Sequence, residues 1–142
     1  MSPSLFTKII NGEIPSSMVA KGEGWFAFLD IFPRRSGHTL VVPTEQQTHL
    51  AQLSRASRSA LMEGVVDVQG RLSKEFDTSD FSIVVHDGAT AGQEVPHVHI
   101  HIIPRTMNDG GLGLNSMWPN TSIGGEPDFI ILKELASRLS KN

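Results

Sequence analysis

The sequence predicts an α+β fold, an antiparallel five-stranded sheet with helices on one face, in a single domain over residues 1–142. Three observations carry this expectation. Short β-prone runs are separated by turns bearing Gly and Pro, one long stretch of helical apolar spacing follows the third run, and apolar and polar residues alternate strictly in the last run.

In chain order, Leu5, Phe6, Ile9 and Ile10 have helical spacing and Gly12 follows, so a short helix is expected over Leu5–Asn11. Met18–Lys21 and Trp25–Asp30 read as strands joined by the hairpin turn Gly22-Glu23-Gly24, and His38–Val42, between Gly37 and Pro43, as the third strand. After Ser54, the residues Ala60, Leu61, Val65, Val68, Leu72 and Phe76 mark one face of a helix about five turns long. Asp77-Thr78-Ser79-Asp80 breaks it. Phe81–Val85 and Val95–Ile103 are the remaining strands, with a loop of small residues, Gly88 to Gly92, between them. The core of the domain is expected over about 5–105. Residues 105–126 lack a period, and Pro127 is expected to open a final amphipathic helix ending near Ser140.

Composition narrows the function classes. A chain of 142 residues can bury well over half of its unfolded surface in one core. With 39% hydrophobic residues and no apolar run near the ~20 needed to span a bilayer, no membrane partner is expected. The N-terminus lacks the basic head, apolar stretch and small-residue site of a secretory signal, so a cytoplasmic location is the expectation. The absence of cysteine removes disulfides and thiolate metal sites. A formal charge of −3 argues against a nucleic-acid surface, which rests on neutralising many phosphates. Lys8, Arg34, Arg35 and Arg105 remain as candidates for local basic patches or plain surface charge.

Half of the six histidines fall within five residues, in Pro96-His97-Val98-His99-Ile100-His101-Ile102-Ile103-Pro104. In a strand, His97, His99 and His101 share one side while Val98, Ile100 and Ile102 enter the core on the other. One reading is the solvent-facing side of an edge strand. A second is a metal site, since a His-x-His pair can hold one ion, but at ~3.3 Å per residue neighbouring members lie about 6.6 Å apart, whereas zinc ligands approach to ~2.0 Å. The third is a division of labour in which one imidazole attacks phosphorus and the others bind phosphate oxygens or handle protons.

The run His97 to Ile103 resembles, at every position, the His-φ-His-φ-His-φ-φ signature of the histidine triad family, φ being apolar. The likeness extends over roughly residues 5–105. Phe6-Thr7-Lys8-Ile9-Ile10-Asn11-Gly12-Glu13-Ile14-Pro15 is similar to the family's opening helix, Phe28-Leu29-Asp30-Ile31 to its ribose strand, and Gly37-His38-Thr39-Leu40-Val41-Val42-Pro43 and Ala91-Gly92-Gln93-Glu94-Val95 also fit. The resemblance implies a homodimer whose sheets join, and hydrolysis or transfer of nucleoside monophosphate groups through a nucleotidyl-histidine intermediate. It implies His99 as nucleophile, His101 on the phosphate and His97 as support. Asp30 is implied on the ribose hydroxyls, and Leu5, Phe6, Ile9, Ile14, Phe28 and Ile31 around a purine base. Neither a metal nor another cofactor is implied.

Read from the residues themselves, Asp30 ends an apolar strand, where a carboxylate either accepts two hydroxyl hydrogen bonds or terminates a turn. Gly92 and Gln93 stand ahead of the triad, where backbone N–H groups and an amide can hold phosphate oxygens; a plain turn is the alternative. His38 either faces the site or is a buried structural histidine. Departures from the family's pattern are also present. Many bacterial members open with a C-x-x-C pair that binds zinc with two histidines; here Ser4 and Thr7 stand in those positions, His49 and His97 would be the partners, and no zinc is expected. His86 replaces an Asn or Gln beside the phosphate, and Glu94 replaces a Ser or Thr, with repulsion of an anion unless it is paired or turned away. Trp118 is a candidate to cover the neighbouring subunit's substrate, or a core anchor. The expected substrates are purine nucleoside phosphoramidates, adenylates and dinucleoside polyphosphates; the alternative is a nucleotide-binding regulatory protein with weak turnover.

Overall fold

The computed structural model describes residues 1–121 and 125–142, and the chain divides into two compact units, 1–109 and 110–142. In the first unit, α1 (Leu5–Ile10) begins where the Ser4 hydroxyl accepts the Thr7 N–H at 3.0 Å, satisfying one of the donors that open every helix. Strands β1 (Met18–Gly22) and β2 (Trp25–Leu29) form the expected hairpin, and β3 (Thr39–Pro43) pairs with β2. Helix α2 (Arg55–Phe76) is capped by Ser54, whose Oγ accepts the Ser57 N–H at 3.1 Å. It ends at Asp77 in the left-handed region, close to the expected break. Strands β4 (Phe81–Val85) and β5 (Ile100–Pro104) complete the sheet.

The five strands are antiparallel in the order β1-β2-β3-β5-β4, so β5 lies inside the sheet. His101 sits opposite Leu40 of β3 on one side and Val84 of β4 on the other. The edge-strand reading of the histidines is therefore replaced: this strand is interior because α2 carries the chain past the β1–β3 meander and β5 returns beside β3.

Alternation sorts the strands into two faces. Ala27, Val41, Ile100 and Ile102, with Val98, join Leu61, Val65, Val68 and Leu72 of α2 in one buried cluster. Phe28, Leu40 and Val42 point the other way and meet Phe6 of α1. The long helix thus covers one face as expected, while the short α1 lies on the opposite one, because β2 and β3 are apolar on both sides and each side needs cover. Gly64 of α2 permits the close seating of helix on sheet: a Cβ there would lie 2.7 Å from the Trp25 ring and 2.8 Å from Val41.

The last strand is shorter than its alternation suggests, starting at Ile100 rather than Val95. Pro96 has no N–H to give, the His97 N–H turns back to the Val95 carbonyl at 2.8 Å, and the Val98 N–H goes to Gln47 at 2.8 Å, outside any ladder. Residues 97–99 nevertheless keep the alternation, with Val98 in the α2-side core.

In the second unit, a 3-10 turn at Leu114–Met117 interrupts the irregular stretch, and α3 (Phe129–Ser140) is capped by Asp128, whose Oδ1 accepts the Ile131 N–H at 3.1 Å. The helix therefore begins two residues beyond Pro127, because the aspartate side chain caps better than proline starts. Residues 122–124, within the stretch expected to be irregular, lie outside the described residues. Among the described residues no helix is long and apolar enough to cross a membrane.

Candidate active site

On the sheet face opposite α2, a cleft of about 260 Å³ opens between the end of β2, the loop that follows it, the end of β4, the loop before β5, and β5 itself. Asp30, Arg34, His38, His86, Glu94, His99 and His101 line it, together with Phe32, Val84, Gly92 and Ile103. Seven of the eleven were expected from sequence: Asp30, His38, His86, Gly92, Glu94, His99 and His101. Phe32, Arg34, Val84 and Ile103 were not assigned to the site.

The hydrogen-bond partners assign a proton to each ring. His99 Nδ1 lies 2.8 Å from the His97 carbonyl, an acceptor, so Nδ1 carries the proton and Nε2 holds a lone pair. The His97 ring gives its Nε2–H to the Pro43 carbonyl at 2.8 Å, and its Nδ1 accepts the Ser4 hydroxyl at 2.6 Å. For His38, the Arg34 backbone N–H donates to Nδ1 at 3.1 Å, which leaves the proton on Nε2; this donates to His101 Nδ1 at 2.9 Å. The proton of His101 is consequently on Nε2. Among the described residues no enclosed side-chain nitrogen or oxygen lacks a partner, so the unpaired Nε2 atoms of His99 and His101 are open to the cleft. The wall thus presents one imidazole lone pair beside one imidazole N–H, with ring centroids 5.1 Å apart.

Burial keeps these rings neutral. It lowers the pKa of His97, His99 and His38, in the last two against the nearby Asp30 carboxylate. His101 is pushed down to about 4 by burial first and then by the neighbouring His99 and His38. A neutral imidazole with a free Nε2 is a nucleophile without further activation.

Asp30 combines both roles considered for it. Its Oδ1 accepts the Phe32 N–H at 2.8 Å, as a turn acid does, while Oδ2 lies 3.5 Å from His38 Nε2 at the cleft edge. Asp30, His38 and His101 bring three ligand-type atoms close together. Their proton inventory is that of a hydrogen-bond relay, since His38 Nε2 is already protonated by the demand of the Arg34 N–H at its other nitrogen.

Several expected site residues lie elsewhere. Gln93 turns its amide to the Thr48 carbonyl at 2.8 Å. Phe6 and Phe28 are buried beneath the triad, with the Phe6 ring edge-on to His99 at 5.0 Å and to His97 at 5.7 Å. Ile9 and Ile14 are half-buried, Leu5 is 45% exposed and Ile31 79% exposed. His97 is fully enclosed and acts behind the wall. The residue that meets Ser4 and Thr7 is Gln46 rather than His49: Gln46 Oε1 accepts the Ser4 N–H at 2.8 Å and the Thr7 hydroxyl at 2.7 Å. Arg35 and Arg105 both hold Asp109, at 2.6 and 2.8 Å, and so buttress the loop. Trp118 is exposed in the second unit.

Phe32 and Arg34 sit in the loop after β2, where no periodicity marks orientation; their proximity to Asp30 in sequence was the available signal. Ile103 follows His97, His99 and His101 in alternation and so shares their side, whereas Val84 is put at the cleft by its pairing opposite His101.

Comparisons with known proteins bear on the family and the fold. The chain is 44% identical over 106 residues to an uncharacterized HIT-like protein of Methanocaldococcus jannaschii, covering 75% of this chain and 81% of that one. It is 33% identical over 135 residues to an adenosine 5′-monophosphoramidase of Schizosaccharomyces pombe, covering 95% and 97%. A crystal structure of a Streptococcus mutans protein superposes with a TM-score of 0.86 at 33% identity, covering 99% of this chain and 85% of that one. Residues 11–108 match the HIT domain, and the chain belongs to the HIT domain family.

Proposed function

We propose that this protein is a nucleotide hydrolase or transferase that removes a substituent from the α-phosphorus of a purine nucleoside monophosphate through a nucleotidyl-histidine intermediate. The observation that carries this reading is His99: its Nδ1–H is pinned to the His97 carbonyl, and its Nε2 lone pair is open to the cleft. The Nε2 atom attacks phosphorus, the leaving group departs with the electron pair of the broken bond, and water then releases the nucleoside monophosphate. The charge that develops on the phosphate oxygens meets the His101 Nε2–H, since the N–H groups of Gly92 and Gln93 are given to the Ala89 and Gly88 carbonyls at 3.0 and 3.2 Å, as in a plain turn. Asp30 receives the ribose hydroxyls through Oδ2. The S. pombe relative's name, adenosine 5′-monophosphoramidase, supports phosphoramidates as the first substrates to try.

The test compares the parent protein with His99→Ala on adenosine 5′-phosphoramidate. The variant is expected to lose on the order of 10³-fold or more in AMP release, and the parent, quenched in denaturant, to carry one nucleotidyl group on His99. Equal AMP release by the two proteins refutes the assignment. Glu94, exposed at the cleft rim, favours a second reading in which AMP is bound without turnover. Micromolar AMP binding with no product from phosphoramidates, adenylates or dinucleoside polyphosphates establishes that reading instead.

A further inference from the structure

We propose that His86 is a second catalytic residue of this reaction, an acid–base group that protonates the leaving group and then takes a proton from the water that follows it. The inference rests on the function proposed above and adds a role which the His99 assignment leaves unfilled. A substituent leaving phosphorus as an amine needs a proton, and the water that replaces it must lose one. Both occupy the position in line with the His99–phosphorus bond, so a single group stationed there can serve both.

The other imidazoles cannot alternate without losing a bond they hold. His101 uses Nδ1 to accept from His38, and His38 uses both nitrogens, one for the Arg34 N–H and one for His101. His97 is enclosed, with both nitrogens paired. His99 is committed to phosphorus. His86 is different: its Nδ1–H donates to the Ala91 carbonyl at 2.6 Å, and this bond persists whether or not Nε2 carries a proton. The Nε2 atom has no protein partner among the described residues, and the ring lines the cleft, edge-on to His101 at a centroid distance of 5.8 Å.

The ring is also held in place. Gly92, at φ +102°, brings its backbone so near that a Cβ would sit 3.3 Å from His86 Nδ1. The groups facing His86 across the cleft are Asp30 at the end of β2, Arg34 and His38 in the segment leading into β3, His99 and His101 on the triad segment, and Glu94 in the preceding loop. Asp87, its neighbour, is engaged by the Leu50 N–H at 2.8 Å. A carboxylate accepts a proton but has none to give a departing amine.

The two steps balance. In the first, His99 Nε2 bonds to phosphorus, the phosphorus–nitrogen bond of the substrate breaks with its electron pair on the amine, and His86 Nε2–H supplies the proton. In the second, water oxygen bonds to phosphorus as His86 Nε2 takes one of its protons, and the electron pair of the phosphorus–His99 bond returns to Nε2. His86 ends as it began, protonated.

The experiment uses the full chain and the variants His86→Asn and His86→Ala, with two substrates that form the same nucleotidyl-enzyme: adenosine 5′-phosphoramidate, and the p-nitrophenyl ester of AMP, whose phenolate leaves without a proton. In single turnovers His86→Asn is expected to slow the amine's departure about 100-fold and p-nitrophenolate release less than about threefold. AMP release from the shared intermediate also slows about 100-fold, so the ester gives a p-nitrophenolate burst and nucleotidyl-enzyme accumulates. Added imidazole is expected to restore much of the water step in His86→Ala. Equal losses for both leaving groups, or an unchanged water step, overturn the role of His86 while leaving His99 in place. A parent protein that releases AMP from neither substrate overturns the function proposed above, and this inference with it.

Discussion

The two faces of the sheet are made by the same strands, yet one is a dry interior and the other a working surface. On the α2 side Val41, Val65, Val68, Val98 and Ile102 are fully enclosed, and the groups in contact are hydrocarbon. On the opposite side a smaller apolar cluster around Phe6 and Phe28 lies under the triad, and every imidazole nitrogen turned inward is satisfied by backbone, hydroxyl or another imidazole. Burial therefore does different work on the two sides. It supplies the cohesion of the fold on one, and on the other it holds histidines neutral and leaves chosen nitrogens unpaired.

The sharpest way to separate the faces is acid. His101 has its folded pKa depressed to about 4, so between the unfolded value near 6.5 and about 4 the unfolded chain binds a proton that the native state refuses. Its contribution to stability is present above about pH 6.5 and is lost as pH falls through about 4, amounting to as much as about 3 kcal/mol. His97, His99 and His38, also lowered, act in the same direction. Urea unfolding between pH 7.5 and pH 4.5 should show the decline, and His101→Asn should flatten it. A stability that is level across that range in the parent would break the comparison.

Gly64→Ala tests the other face. Alanine is the better helix former, but the added Cβ would meet the Trp25 ring and Val41 in a core where Val41 is fully enclosed and Trp25 only 7% exposed. A loss of about 1–3 kcal/mol in urea unfolding is expected, with AMP release at 25 °C unchanged. The smallest effect is its control within the same helix. Nothing lies within 4 Å of a Cβ at Gly70, so Gly70→Ala should gain up to about 1 kcal/mol from helix propensity alone. A stabilising Gly64→Ala would mean that α2 can move off the sheet, and that the dry face is less tightly set than the Cβ distances require.

How much of this was legible in the sequence follows from what periodicity can report. Alternation across residues 97–103 gave the faces correctly, because side-chain direction persists in extended chain even where Pro96 and the Gln47 contact keep residues 97–99 out of the ladder. Periodicity does not distinguish a cavity from a core, and Phe6 and Phe28, which the resemblance implies around a base, are buried under the triad. Nor does it orient loops. Arg34 reaches the cleft and Gln93 turns to Thr48, and both outcomes depend on contacts made across more than one element.

The amide of Arg34 has a consequence for what can be recognised. A peptide N–H never accepts a hydrogen bond, so the relay through His38 runs in one sense, and His101 meets the solvent as a donor for as long as the main chain keeps its course. Reversing that polarity would set two hydrogens against each other behind a buried ring. At this one point of the wall the donor faces outward to an oxygen lone pair, a polarity written into the backbone and indifferent to the side chain at position 34.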